Sequence, residues 1–275
     1  MIDVLLITLN DEINVANMCS SILDSNFSRL IIIDGGSVDR TVNAAKEYTS
    51  TVITSTPGMA HQTRVGLSLV DTEYIFLAEA DHIYPPGFLQ ALFDELVASD
   101  WDGIQGTLDV ASPRTIWEYC HKLFYFVHQH NKGLRTIIAC PQLWKTSSFR
   151  RLMDVLEGGE SFCFDTQRAE SAAKLELKVG LGNPTAYENQ KINFSKFLRR
   201  HLNYGAGDFD FYFANKHHWP VSRKLISLTH VFRRYGFEYP LKALKYNVNP
   251  IIIPYFLLVM FVRYTGFLTR YLGLR

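Results

Sequence analysis

The stretch Tyr74-Ile-Phe-Leu-Ala-Glu-Ala-Asp-His-Ile-Tyr-Pro-Pro-Gly87 governs the reading of the chain. Its apolar start, Tyr74 to Ala78, is long enough for one buried strand and too short for an ordinary helix. Two carboxylates, Glu79 and Asp81, follow with one small residue between them, and Pro85-Pro86-Gly87 forbids the strand from continuing. Side chains at i and i+2 of a strand share a face, so Glu79 and Asp81 are expected to point the same way. Ligands of open α/β sheets sit just beyond the carboxyl ends of strands. Two acids at such an end repel unless a cation or donor hydrogens lie between them. The pair therefore suggests an oxygen-ligand site for Mg2+ or Mn2+, carrying a phosphorylated substrate. A solvated acidic turn is the plainer alternative.

Working outward, strands and helices alternate. Strand patterns cover Ile2 to Leu9, Arg29 to Ile33, Thr51 to Thr54 and Trp101 to Leu108. Helical patterns cover Ile13 to Leu23, Val38 to Tyr48, Met59 to Leu69 and Pro86 to Val97. This order predicts an α/β fold, with a mainly parallel sheet and helices on both faces. Further on, a helix is expected over Thr115 to His130, a strand over Leu134 to Leu143, and helices over Ser148 to Leu156 and Phe164 to Leu177. A last strand spans Val179 to Tyr187, and a basic helix from Phe194 to Asn203 ends at Tyr204-Gly205-Ala206-Gly207.

A chain of 275 residues can build one sizeable core, or a domain plus an appendage. The four cysteines (Cys19, Cys120, Cys140, Cys163) form no C-x-x-C pair, which suggests reduced thiols in a cytosolic compartment. Met1-Ile2-Asp3-Val4 has neither the basic stretch nor the cleavage site of a secretory signal, so none is expected there. The net charge of +1 hides an asymmetry. Residues 1–190 hold 14 Lys and Arg against 24 acids, whereas residues 191–275 hold 14 against 3. An acidic front and a basic rear argue against a nucleic-acid partner. They suit a catalytic body whose tail seeks an anionic surface.

Asp34-Gly35-Gly36-Ser37-Val38-Asp39 stands at a strand-to-helix switch. Glycines there let the backbone pass close to a ligand, and Asp34 can accept a hydrogen bond from a base or ribose. Ser37 is placed to cap the next helix. The pattern is not G-x-G-x-x-G, which disfavours a dinucleotide fold.

Taken with Thr8-Leu9-Asn10-Asp11-Glu12, Arg64 and Glu79-Ala80-Asp81, the segment Ile33 to Thr41 completes an order and spacing that resembles the family 2 inverting glycosyltransferases with the GT-A fold. The likeness covers residues 1–210. It implies a nucleotide-sugar site in which Thr8 and Glu12 line the nucleotide pocket and Asp34 meets the base. Arg64 would lie near the base or diphosphate, its alternative being an exposed helix arginine. Asp81 would hold the metal, and Glu79 the ribose or the metal through water; Glu79 departs from the Asp usual at that place. His82 is expected to be a hydrogen-bonded structural histidine rather than an extra ligand. Phe164-Asp165-Thr166-Gln167-Arg168 resembles the family's Glu-Asp-Thr segment, with Phe164 in place of Glu. Asp165 would then deprotonate an acceptor hydroxyl, with Glu160 as the reserve base and a helix cap as the alternative role. Arg199-Arg200-His201 and the glycines after it resemble a basic helix and turn that close over the diphosphate. A basic membrane-facing helix is an equal reading.

The rear of the chain carries the second signal. Between Lys245 and Arg270 the only charge is Arg263, and Tyr246 to Val262 is uncharged. A bilayer core needs about 20 apolar residues, and a central Arg is costly there. With Pro250 and Pro254 near its start, the segment reads as lying in one leaflet, then as a kinked span, then as a buried soluble helix. Arg223, Lys224, Arg233, Arg234, Lys242 and Lys245 precede it and suit anionic lipid.

The combined expectation is a GT-A catalytic domain over residues 1–210 and a basic membrane-associating segment over 211–275. The resemblance implies a metal-dependent inverting glycosyltransferase using Mg2+ or Mn2+. It would move a sugar from a nucleotide-sugar donor to a lipid-linked acceptor, either polyprenyl phosphate or a lipid-borne glycan. The expected location is the cytoplasmic face of a membrane, peripheral or held by a single span. A sugar nucleotidyltransferase would want a Gly-rich phosphate loop, which Leu9 to Asn14 lacks. A catalytically silent membrane scaffold of the same fold is the other alternative.

Overall fold

The computed structural model describes residues 1–136, 138–157, 163–189 and 191–274. In chain order the elements are β1 (Ile2–Thr8), α1 (Glu12–Ile22), β2 (Arg29–Asp34), α2 (Thr41–Lys46), β3 (Val52–Thr54) and α3 (Met59–Leu69). Next come β4 (Tyr74–Ala78), β5 (His82–Ile83), α4 (Phe88–Ser99), β6 (Gly103–Asp109), α5 (Ile116–Gln129), β7 (Gly133–Leu134) and β8 (Gln142–Lys145). They are followed by α6 (Thr146–Asp154), α7 (Phe164–Lys174), β9 (Val179–Glu188), α8 (Phe194–Asn215) and α9 (Val221–Val231). A π-helical turn (Phe232–Glu238) leads into α10 (Tyr239–Lys245), and α11 (Ile252–Tyr271) closes the described chain.

The chain packs as two units. The first comprises Met1–Ala111, Lys132–Glu160 and Phe164–Gln190; the second comprises Ser112–Asn131, Ser161–Cys163 and Lys191–Arg275. The boundary expected at residue 210 falls inside α8, one continuous helix of the second unit.

In the first unit the sheet runs β3-β2-β1-β4-β8-β6-β9-β5, with β7 paired to β9. β3, β2, β1 and β4 are mutually parallel. β8 is antiparallel to both β4 and β6, which returns β6 and its parallel partner β9 to the direction of β4. Six of the nine strands described therefore share one direction, the mainly parallel sheet expected, with β5, β7 and β8 opposed to it. Strand alternation sends Leu5, Ile31, Ile33, Ile75 and Leu77 into one core with α3, α6 and α7. The alternate residues Val4, Leu6, Ile32 and Phe76 are equally buried, and Phe76 meets Tyr84 and Phe88 edge-on at the start of α4. A sheet covered on both faces explains why these strands read as unbroken apolar runs.

Two sequence expectations fail for local reasons. The strand expected over Leu134 to Leu143 is two short strands, β7 and β8, on different neighbours. The helix expected from Val38 begins only at Thr41, with Arg40 at its N-cap and no side-chain cap; Asp39 accepts from the Thr41 N–H at 3.0 Å, while Ser37, the expected cap, donates its hydroxyl to Asp34.

The second unit is helical. Ile252, Phe256, Val259 and Val262 of α11 join Phe197 of α8, Val127 of α5, and Tyr235, Tyr239 and Ala243 in one core. Tyr204-Gly205-Ala206-Gly207 does not end a helix; α8 runs through it to Asn215. The reason is close packing. A Cβ on Gly205 would stand 2.0 Å from the Arg263 carbonyl oxygen, and one on Gly266 would stand 2.2 Å from that of Leu202. Beside this crossing, Arg263 is clamped by both Asp208 oxygens, at 2.7 and 2.8 Å, with Tyr235 Oη at 3.4 Å. Pro254 sits in the first turn of α11, where its missing N–H costs no helical bond, so it does not break the helix. Among the described residues α11 is the one helix long and apolar enough to cross a membrane, by length and composition.

Candidate active site

The carboxyl ends of β1 and β2 are stitched together. Gln62 of α3 is buried and donates its Nε2 to the carbonyls of Thr8 (3.0 Å) and Ile33 (2.9 Å). Beyond the strands, Asn10 N–H donates to Ser37 Oγ at 2.7 Å and Val38 N–H donates back to Asn10 Oδ1 at 2.9 Å. Glu12, at the start of α1, accepts from the Arg40 N–H at 3.1 Å. Asp34 is fully buried: one oxygen accepts from the N–H groups of Gly36 (2.9 Å) and Ser37 (2.8 Å), and the other accepts from Ser37 Oγ. Gly36 takes φ of +87°, a backbone state that favours glycine. Both oxygens of Asp34 thus shape the loop. Thr8 points a buried hydroxyl that has no hydrogen-bond partner.

The acidic pair follows β4, but its geometry differs from the strand argument. β4 ends at Ala78, and Glu79-Ala80-Asp81 forms a turn closed by the His82 N–H on the Glu79 carbonyl at 3.2 Å. Turn geometry, not strand periodicity, brings the two acids together. It also brings His82, which β5 holds against Glu188 of β9. His82 Nε2 lies 3.6 Å from Glu79 Oε2 and 3.7 Å from Asp81 Oδ1, while its buried Nδ1 has no partner. Ligand atoms of Glu79, Asp81 and His82 all fall within 4.8 Å of one another. Two carboxylates and an imidazole at that spacing fit a divalent cation. His82, expected as a structural histidine, thus stands within reach of both acids, and adjacency to them was its one sequence signal.

Asp165 opens α7 and pairs with Arg168 one turn on. Arg168 is buried; it donates to Gln142 Oε1 at 3.1 Å and lies 4.4 Å from the Phe164 ring centroid. These groups converge electrostatically on the acidic turn. Desolvation pushes Glu79 up to about 7; His82 opposes, Asp81 and Asp165 add to the rise, and Arg168 opposes again. Burial, with Glu79 and Asp165 nearby, holds the Cys140 thiol well above its usual range, so it is neutral and no nucleophile. Arg168 and Cys140 were not singled out from sequence; the i, i+3 spacing of Asp165 and Arg168 was the only available hint.

Thr8, Glu12, Asp34, Glu79, Asp81 and Asp165 all belong to the first unit. Arg64 does too, exposed on α3 with its guanidinium on the Leu156 carbonyl at 2.8 Å. Arg199 and Arg200 belong to the second unit, where Arg200 lies 3.1 Å from His121 Nε2. Glu160 lies outside the described residues.

The chain belongs to glycosyl transferase family 2, whose family model matches residues 3–172, and it is a glycosyltransferase. Solved structures agree on the fold. Glucosyl-3-phosphoglycerate synthase from Mycobacterium tuberculosis, solved with Mg2+ and uridine diphosphate, is 15% identical; the match covers 76% of this chain and 78% of that one, with a TM-score of 0.54. The same enzyme with Mn2+ and UDP-glucose is 13% identical over 78% of each chain, also at 0.54. Residues 1–349 of S. aureus TarS with UDP-GlcNAc are 12% identical, over 99% of this chain and 92% of that one, at 0.53. No curated protein sequence matches significantly.

Proposed function

We propose that the chain is a metal-dependent inverting glycosyltransferase that moves a sugar from a nucleotide-sugar to a lipid-linked acceptor at a membrane surface. The observation that carries this is the Glu79–Asp81–His82 cluster beyond β4, beside the loop that Asp34 organises beyond β2. A divalent ion held by Asp81, with Glu79 and His82, would supply positive charge for the departing nucleoside diphosphate. Metal-bound neighbours of the same fold, solved with uridine diphosphate or UDP-sugars, support that assignment. Thr8, Glu12, Asp34 and Arg64 are assigned to the nucleotide, and Arg199 and Arg200 to the diphosphate.

Asp165 is the acceptor's base. Arg168 fixes its carboxylate, and its side chain remains 41% exposed, open to an incoming hydroxyl. The acceptor is polyprenyl phosphate or a lipid-borne glycan, a reading supported by the basic, apolar rear of the chain on the cytoplasmic face of a membrane.

A thermal-shift panel of UDP-, GDP- and dTDP-sugars with and without Mn2+ tests the donor. A ligand at a hundredfold excess over Kd adds about 2.7 kcal/mol of stability. Release of nucleoside diphosphate supports transfer, release of pyrophosphate selects a nucleotidyltransferase, and tight binding without turnover selects a silent scaffold. Asp165→Asn should abolish transfer to a hydroxyl and only dent transfer to a phosphate, which is already anionic; equal loss with both acceptors overturns its role as base.

A further inference from the structure

The second unit turns apolar side chains outward in a pattern. Along α9 and into the first residue of the π-helical turn, the exposed Val221, Leu225, Leu228 and Phe232 recur at i, i+4, i+7 and i+11, a single helical face. Phe237 follows after five residues. In an α-helix five residues would rotate it about 140° past a full turn and off that face. The intervening segment is π-helical, whose wider turn takes up the extra residue. The Phe232 and Phe237 rings consequently meet, their centroids 5.1 Å apart. Leu241 and Leu244, 63% and 60% exposed, continue the stripe on α10. On the opposite side Val231, Tyr235, Tyr239 and Ala243 stay buried in the helical core. Two seams, one inward and one outward, thus hold their phase across an irregular turn.

Charge identifies what covers the outer seam. Residues 221–245 carry six lysines and arginines against one acid, Glu238, and Glu238 is paired with Lys242 at 2.6 Å. A second copy on this face would set one basic strip against another. An anionic lipid surface complements it, with apolar side chains reaching the acyl boundary and cations among the headgroups. The same unit shows why α11 does not serve instead as a lone span. It is packed along α8 through Gly205 and Gly266, and Arg263 is bound to Asp208. Crossing a bilayer would drag Lys196, Arg199, Arg200, Asp208 and Asp210 of α8 with it, each costly in hydrocarbon.

We infer that the outward stripe of α9, the π-helical turn and α10 lies in the plane of an anionic bilayer surface, and that this stripe, rather than a spanning α11, holds the chain at the membrane. This rests on the membrane placement proposed above and names its contact surface.

The test is co-sedimentation of the full chain with vesicles of phosphatidylcholine alone or with phosphatidylglycerol added. The wild type binds the anionic vesicles preferentially and is released by an alkaline carbonate wash. Phe232→Ser with Leu241→Ser lowers binding at least tenfold, on the order expected for two apolar side chains. Arg233→Gln and Arg234→Gln weaken it about fivefold each, an effect that salt erases. These variants leave far-UV circular dichroism unchanged, because Phe232, Arg233 and Leu241 are exposed and Arg234 is half-buried. Unchanged binding by the serine variant, equal binding to neutral vesicles, or resistance to carbonate overturns the inference. So does a lipid-free dimer that Phe232→Ser splits. Transfer to detergent-solubilised polyprenyl phosphate or lipid-borne glycan, measured on the same proteins without vesicles, separates the two readings: its absence in the wild type defeats the proposed lipid-linked acceptor, while the vesicle data still judge the stripe.

Discussion

The two units put opposite kinds of side chain at their surfaces. In the first, apolar residues are buried on both faces of a sheet and charge gathers at its rim, where Glu79, Asp81, Asp165 and Arg168 interact. In the second, a charged pair, Asp208 and Arg263, is drawn inside, each side chain 15% exposed, while phenylalanines and leucines face out. One unit buries its sheet on both faces and gathers charge at the ends of its strands. The other neutralises charge internally and offers carbon to its surroundings. Mean hydropathy, −0.02 over the chain, averages these two regimes into an unremarked value.

Five substitutions sharpen that contrast. Asp81→Asn should lower transfer at least a thousandfold, about 4 kcal/mol of transition-state stabilisation. It should also remove the Mn2+-dependent rise in melting temperature while leaving the metal-free fold intact; a retained manganese response would place the ion elsewhere. Arg263→Met leaves Asp208 with His230, 3.4 Å away, in place of its guanidinium clamp inside the helical unit, and denaturant unfolding should report a loss of about 3 kcal/mol. Adding Asp208→Leu should recover most of that loss, because replacing both partners removes the stranded charge. If the double variant is as unstable as the single, packing rather than charge dominates there.

Gly266→Ala puts a methyl where the Leu202 carbonyl stands, and should cost about 1–3 kcal/mol as α8 and α11 move apart. A neutral result would mean that the crossing is soft. The smallest effect concerns pH. Glu79 is pushed up to about 7 from 4.5, so the folded apoprotein binds a proton that the unfolded chain releases. Its contribution is complete below pH 4.5 and is lost as pH rises through 7. With 47% of the side chain exposed, solvent screens the effect and it stays small. In chelator, the melting temperature of the wild type should fall relative to Glu79→Gln across that window. Parallel curves would show that the carboxyl is not perturbed.

Much of the first unit was legible because its signals are local. Tyr74 to Ala78 is apolar and short, Met59 to Leu69 is periodic, and the glycine turn after Asp34 needs few neighbours. The strands that run against the others were not legible. β8 is four residues whose partners, β4 and β6, lie far away in sequence, and nothing in Gln142 to Lys145 states its direction. The approach of His82 to the two acids was not legible for the same reason: it depends on a turn closing and on β9 holding β5. Tyr204-Gly205-Ala206-Gly207 misled because glycine marks both a helix end and a close helix crossing, and only Arg263, some 60 residues on, distinguishes them.

By itself the sequence determined the alternation of strands and helices, the acidic turn after β4 and the division of charge between front and rear. Each follows from side-chain size, period and valence over a dozen residues. The tertiary structure alone decided which face of α9 and α10 stays outside, which residue joins the two acids, and where Arg263 finds its counter-charge. Those outcomes depend on which surfaces meet, and long-range contacts are not written in any single stretch of chain.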